Sequence, residues 1–459
     1  MPAAPAFHPV RAEVAATLRL AGPLAAANLL QMLVYAIDVI FVARLGQDVL
    51  AASSLAVALF GLIAWSLSGL TSAVAPLVAA ELGRKAHSVR EVRKSVRMAL
   101  WLAVLASLAG LAICGLGEPL MIATGQDPAV ASQAGRFLAV VMFALPAMIA
   151  GNVLRTFVSA LGRPLFATAI TAFAILVNGL GNYAFVFGHL GAPALGLEGS
   201  ALSSVITSGV TLAAYVVLIR ADRRLRRYHL FGRLWVPHWR RLGEIVGIGL
   251  PVFATILAEA GLFSAAAFLM GVIGKAELAG HTVALQIAAL TFQVPFGIGQ
   301  AATIRVGYHF GAGDRAGVAR AGWVAITTAM LISSVSASLM MFAPHLMLSL
   351  YVDVGAPANA AMVAFAVQYI VVAAAFQLFD GVQAVATGAL RGLQDTRIPM
   401  LVAIASYWLP GAAASFGLGL RTPLAGIGVW IGLLIALGCV AVLLLWRWWR
   451  RERLGLVRF

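Results

Sequence analysis

The segment RADRRLRRYHLFGRLWVPHWRR, residues 220–241, places eight arginines within 22 residues of a chain in which only 11% of residues are charged. Apolar runs of twenty residues or more flank it on both sides, and that length crosses a bilayer. Short loops rich in Lys and Arg stay on the cytoplasmic face, so this island reads as a loop between membrane spans. The pattern repeats outward from it. Residues 84–94 and 447–458 are also basic, whereas 44–49, 117–128 and 189–198 are poor in Lys and Arg.

Composition agrees. The 459 residues are 62% hydrophobic and the mean hydropathy is +0.95, well outside the globular mixture. Twelve spans are predicted, near 17–43, 50–80, 95–116, 129–160, 165–188, 199–220, 244–273, 277–309, 317–344, 357–390, 398–420 and 424–446. An even count with basic even-numbered loops puts both termini in the cytoplasm. Residues 1–16 and 447–459 are then cytoplasmic tails, and 221–243 is a basic cytoplasmic linker. The net charge of +15 follows these loops. It is not spread over a face with groove-reading elements, as nucleic-acid binding would require. Cys114 and Cys439 lie in apolar runs and read as small buried hydrophobes.

The chain also repeats itself at an offset of 228 residues: Pro23 with Pro251, Gly46 with Gly274, Gly69 with Gly297, Gly83 with Gly311. The fold is therefore all-α and polytopic, with two pseudo-symmetric six-helix lobes at 17–220 and 244–446. Six is even, so both halves enter the membrane in one orientation. Parallel repeats of this kind belong to secondary transporters with a site near the midplane.

Three acids fall inside spans: Asp38, Glu259 and Asp380. Unpaired intramembrane carboxylates mark ion or proton pathways. Each lies near a polar stripe at helical spacing. Asn28, Gln31 and Tyr35 lead to Asp38, and Gln377, Gln383 and Thr387 surround Asp380. Thr282, Gln286, Gln293 and Gln300 mark span 8, and Asn178 and Asn182 mark span 5. A polar helix–helix seam explains any one stripe; stripes in both halves favour a hydrated cavity. Its expected lining is Gln31, Tyr35, Asn178, Asn182, Gln286, Phe292, Gln293, Phe376, Gln377 and Gln383. The aromatic members are placed to stack on a cation, although plain packing accounts for each alone. Glu259 and Asp380 have no acidic repeat mates; Gln31 and Asn152 stand at those places. Two carboxylates in a low-dielectric site cannot both ionise cheaply. Such a pair can hold a proton or a monovalent cation and exchange it for a cationic ligand, which is antiport by competition.

The stretches AIDVIFVARLG (36–46), NGLGNYAFVFG (178–188), LAGHTVALQI (278–287), IRVGYHFGAG (304–313) and FDGVQAVATGALRGLQDT (379–396) resemble the MATE family of multidrug and toxin extrusion transporters, over essentially the whole chain. Asp38, Glu259 and Asp380 look like the acidic trio of its NorM-type branch, and Asn178 and Asn182 match the amide pair beside the first acid. The resemblance implies proton- or sodium-driven export of organic cations. Sodium-coupled members carry a tyrosine one turn before the span 10 acid; Phe376 stands there, which removes a hard-cation ligand and favours protons over sodium.

The expected protein is thus a cation-coupled multidrug exporter working by alternating access. No cofactor is expected, and no metal beyond a coupling Na+ at Glu259 and Asp380. The expected partners are small organic cations and the lipid bilayer, with no nucleic acid, and one chain is expected to work as a monomer. The Ala- and Arg-rich composition points to a bacterial inner membrane. A flippase for a lipid-linked precursor is the alternative transporter, but a basic cavity is missing from the midspans. An integral-membrane enzyme would need convergent nucleophile and base or metal ligands. All eight His lie near span ends or in connectors, and no HExxH or GxSxG occurs, so an enzyme is not expected.

Overall fold

An internal proline deletes one i to i−4 hydrogen bond and crowds the preceding turn of a helix. The repeat mates Pro23 and Pro251 sit in this way inside two 35-residue helices, α1 (Pro9–Ala43) and, later in the chain, Trp239–Ile273. In the computed structural model, which describes residues 9–85 and 88–457, these two helices are where the chain changes packing partners. One compact unit comprises Ala26–Phe253 (the amino-terminal unit), and the other Met1–Ala25 with Ala254–Phe459 (the carboxy-terminal unit). Each long helix changes unit two residues after its proline, and the two crossings are again 228 residues apart. The repeat is therefore one of packing as well as of sequence.

In the amino-terminal unit, α2 (Gln47–Thr71) and α3 (Val74–Arg84) form one interrupted span. Next come α4 (Ser88–Gly115), the short α5 (Gly117–Ala123), and α6 (Pro128–Val141) with α7 (Ala144–Ala160), which bend by 50° at their junction. Asp127 caps α6 by accepting the Ala129 N–H at 2.8 Å, with Pro128 at its first turn. α8 (Pro164–Phe187) ends on Gly188 in the left-handed region, φ 76°, where a glycine carries no steric penalty. α9 (Leu197–Ala221) and the single turn α10 (Arg223–Arg226) lead to α11 (Trp239–Ile273). A methyl on Gly249 of α11 would overlap the Leu70 carbonyl of α2, so only glycine permits that backbone contact.

In the carboxy-terminal unit, α12 (Lys275–Gly311) and α13 (Arg315–Phe342) are followed by α14 (Pro344–Leu348) and α15 (Ala360–Gly392). α16 (Arg397–Ser406), a π-helical turn (Tyr407–Gly411) and α17 (Ala412–Arg421) make one span, and α18 (Ala425–Trp449) the last. Asp314 caps α13 through the Gly317 N–H at 2.8 Å. That bond, with His309 adding to it, holds the Asp314 carboxyl below the usual carboxylate range. A depressed carboxyl stabilises the fold above its unfolded pKa, and the contribution is lost only as pH falls through the folded value.

Among the described residues, eleven helices are long and apolar enough to cross a membrane, and twelve if the bent α6–α7 pair is one span. Large apolar side chains such as Phe342 (83% exposed) and Phe268 (72%) face outward in numbers that suit lipid and not water. The fold is the all-α polytopic one that the sequence predicts.

The predicted tails and linker differ from free segments. Residues 1–8 lie outside the described residues, but α1 already begins at Pro9. Glu13 is buried there because Arg305 of α12 grips it with two bonds, 2.8 and 2.7 Å. At the other end Trp448 is fully buried, Arg447 Nε donates to Asp395 at 2.6 Å, and Val457 packs in the core. Residues 458–459 again lie outside the described residues.

The linker is held by a row on α4 at one-turn spacing. Arg93 donates to the Tyr228 carbonyl at 2.7 Å, Arg97 to those of Leu230 (2.9 Å) and His229 (2.8 Å), and Trp101 to that of Leu234 (2.7 Å). Arg97→Ala removes two charge-assisted bonds and is expected to destabilise the unit by about 2–4 kcal/mol, read as a lowered thermal midpoint in detergent.

Candidate functional site

Two clusters of polar groups inside the spans form around the acids, one within each unit. In the amino-terminal unit, Asp38 meets α8 and α9. Its Oδ1 accepts amide hydrogens from Asn178 at 3.0 Å and Asn182 at 2.7 Å, and its Oδ2 accepts the Ser204 hydroxyl at 3.2 Å. The one-turn spacing of the two asparagines lets both amides reach one oxygen. Both are fully buried. Ser203 locks the pair from behind by donating to the Asn178 carbonyl at 3.0 Å. Tyr35 and Gln31 hydrogen-bond to each other one turn below Asp38. The carboxylate is thus met by three neutral donors, and among the described residues no cation is found around it.

Asn28, at the start of the predicted stripe, accepts from Arg155 at 2.6 Å. The stripe therefore serves two purposes: its first residue meets a half-buried guanidinium, and its later residues meet the acid.

In the carboxy-terminal unit, Glu259 of α11, Asp380 of α15 and Tyr407 of the π turn lie close enough to act on one another electrostatically. Gln383 donates its amide to the Tyr407 hydroxyl at 2.6 Å. Asp380 is 6% exposed, Gln383 7% and Tyr407 0%. Among the described residues no cation contributes to the surroundings of Glu259 or Asp380. A methyl on Gly381 would overlap the Ser333 hydroxyl, which is how α13 comes so near the acid. Chemically this is a carboxyl pair, Asp380 buried and Glu259 half-buried, edged by a phenol and an amide. It can share one proton or hold one small cation.

Sequence reasoning missed Tyr407, Ser203 and Ser204. Tyr407 brings a phenol oxygen near both acids from the next span, where Phe376 offers none. Phe376 itself points into an aromatic cluster, edge-on to Phe263 (6.2 Å between centroids) and Trp430 (5.8 Å). Gln377 is fully buried.

Gln286 is exposed, Gln293 turns its amide back to the Ala289 carbonyl at 3.2 Å, and Phe292 stacks on Phe296 at 5.7 Å. No group of three or more His, Cys, Asp or Glu among the described residues is arranged to hold a metal ion.

The MatE family model matches residues 23–184 and again 251–415, two segments that begin at the repeat prolines. The chain is 43% identical over 445 residues to a probable multidrug resistance protein NorM of Mesorhizobium japonicum, covering 97% of this chain and 95% of that one. It is 38% identical over 433 residues to the multidrug resistance protein NorM of Burkholderia vietnamiensis, covering 94% and 92%. Among solved structures, an outward-facing multidrug resistance MATE family transporter of the MOP superfamily superposes with a TM-score of 0.86 at 19% identity, over 96% of this chain and 97% of that one. The eukaryotic MATE transporter AtDTX14 gives 0.84 at 21%, over 97% and 98%.

Proposed function

The chain belongs to the MatE family, and from that premise we propose that it is a multidrug efflux transporter that antiports organic cations against protons or sodium by alternating access. The observation that carries the reading is the Glu259–Asp380 pair, a half-buried acid beside a buried one within one unit and without a cation among its described surroundings. Intramembrane charge of one sign with no neutralising partner among the described residues is a site for a transient cation. An ion and a cationic drug that draw on the same negative charge exclude one another, and exclusion is all that antiport requires. Asp38, with Asn178, Asn182 and Ser204, is the corresponding anionic site of the other unit. In the amino-terminal unit the lining residues are Gln31 and Tyr35; in the carboxy-terminal unit it is Gln383, with Gln286, Phe292, Gln293, Phe376 and Gln377 in secondary roles.

The remaining parts of the reading are of the same kind. The protein acts as a monomer in a bacterial inner membrane, with its termini in the cytoplasm as the basic loops direct. It is a transporter and not an enzyme. The proton is the favoured coupling ion, and sodium is the alternative that the assay separates.

The assay is ethidium efflux from proteoliposomes under an imposed pH or sodium gradient. Export is expected under a gradient of one of these ions and none without a gradient. If neither gradient drives export, the antiport reading fails.

A further inference from the structure

Around the last turn of α18 the arginines divide into two kinds. Arg447 donates to Asp395 at 2.6 Å, and Arg451 has Glu452 at 3.6 Å. Arg450 and Arg453 make no ion pair among the described residues. Arg450 meets rings instead: its guanidinium carbon lies 5.0 Å from the centre of the Trp446 ring and 6.0 Å from that of Trp449. Two indole faces hold the cation in place without neutralising its charge.

The same turn is anchored on one side and open on the other. Trp448 is fully buried against α13, where a methyl on Gly322 would overlap its ring. Val442, Trp446 and Trp449 step by four and three residues and so share a face, and that face is exposed: 58%, 45% and 66%. Beyond the helix the chain folds back. The Leu454 N–H donates to the Arg450 carbonyl and the Leu456 N–H to that of Arg451, both at 2.9 Å. Gly455 takes φ 69°, and Val457 returns to the core. Arg450 and the exposed Arg453 are therefore carried on an ordered turn, and little freedom of the backbone is left to lose on binding.

An apolar stripe that ends in two indoles and two unpaired guanidinium groups matches a molecule with hydrocarbon at one end and negative charge at the other. Indoles settle at the headgroup level of a bilayer. A guanidinium binds a phosphate through parallel N–H groups, and basic residues at the cytoplasmic surface attract anionic lipid. We propose that the end of α18 binds one anionic phospholipid. Its phosphate accepts hydrogen bonds from Arg450, with Arg453 beside it, and an acyl chain lies along Val442 and Trp446. A zwitterionic lipid brings its own ammonium, which the two arginines repel, so the site prefers a headgroup of net negative charge. The leaflet is the cytoplasmic one, an assignment that rests on the topology of the export reading.

The test uses the full chain in detergent, with the thermal midpoint followed as phosphatidylglycerol, phosphatidylcholine or inorganic phosphate is added. Phosphatidylglycerol is expected to raise the midpoint by at least about 2 °C at saturation, and the other two to leave it near its starting value. Arg450→Gln keeps a polar side chain and loses the charge. It is expected to weaken phosphatidylglycerol binding roughly fivefold, with the midpoint of the lipid-free protein unchanged, because no acid in the protein loses its partner. Equal shifts from the two lipids, or an unaltered phosphatidylglycerol affinity in Arg450→Gln, overturn the site. A matching shift from inorganic phosphate makes it a free-phosphate site and overturns the lipid assignment. If Arg450→Gln does not fold, Trp449→Ala on the exposed face carries the test: weakened phosphatidylglycerol binding supports the site, and wild-type binding overturns it. Ethidium efflux is a separate readout, so the lipid site can fail while the export reading stands, and the reverse.

Discussion

Asp380→Asn is expected to abolish gradient-driven ethidium efflux while the protein remains folded. The substitution keeps size and hydrogen-bonding capacity, so the packing at this 6%-exposed position is barely disturbed. What changes is charge. Glu259 and Asp380 act on each other electrostatically, and loss of one carboxyl frees the other to ionise without a like-charged neighbour. The remaining single acid can bind a cation, but it no longer has two protonation steps to separate ion-loaded from drug-loaded states. In a protein environment a unit charge about 4 Å from a cation is worth about 4 kcal/mol, so losing one carboxyl should lower cation affinity by at least about tenfold. The measurement is the initial efflux rate per incorporated protein, alongside ethidium affinity in detergent. Asp380→Glu, which restores the charge on a longer stem, should recover part of the rate. Undiminished efflux in Asp380→Asn would remove this residue from the coupling role.

The two clusters were legible in the sequence to different depths, for a geometric reason. Asn178 and Asn182 sit four apart on an uninterrupted helix, so helical periodicity puts them on one face, and the structure joins both to Asp38. Tyr407 sits in a π-helical turn beside Pro410. A π turn adds a residue to the turn and shifts the face, so 3.6-residue counting along span 11 cannot place its hydroxyl against Gln383. Ser203 and Ser204 are adjacent, and only the tilt of α9 against α8 decides which of them meets Asp38. Glu13 was hidden differently. Its span begins before the apolar run does, because an ion pair with Arg305 substitutes for hydrophobic burial. The prolines were the most informative single residues. Pro23 and Pro251 announced the repeat, and each stands two residues before the helix changes unit.

Asp38→Asn is the substitution that separates charge from architecture in the amino-terminal unit. Asp38 Oδ1 takes two amide hydrogens and Oδ2 takes one hydroxyl hydrogen. An asparagine can turn its carbonyl oxygen to Asn178 and Asn182, preserving both of those bonds. Its NH2 then faces Ser204, whose hydroxyl rotates from donor to acceptor. Every hydrogen bond is kept or inverted, so the change in stability should stay within about 1 kcal/mol. Asp38→Leu has no such option. It leaves the buried amide of Asn178 without its acceptor, at about 1–3 kcal/mol, while Asn182 keeps the Asn178 carbonyl at 3.0 Å, and it should lower the thermal midpoint visibly. Transport behaves otherwise: both variants lack the charge, and both are expected to lose at least about tenfold in ethidium efflux, a loss of about 1.4 kcal/mol or more. The informative comparison is therefore Asp38→Asn alone, folded like the wild type and inactive. A variant that folds normally and exports at the wild-type rate would show that the amides and Ser204 hold a structural carboxylate, and that cation binding in this protein belongs to Glu259 and Asp380 alone.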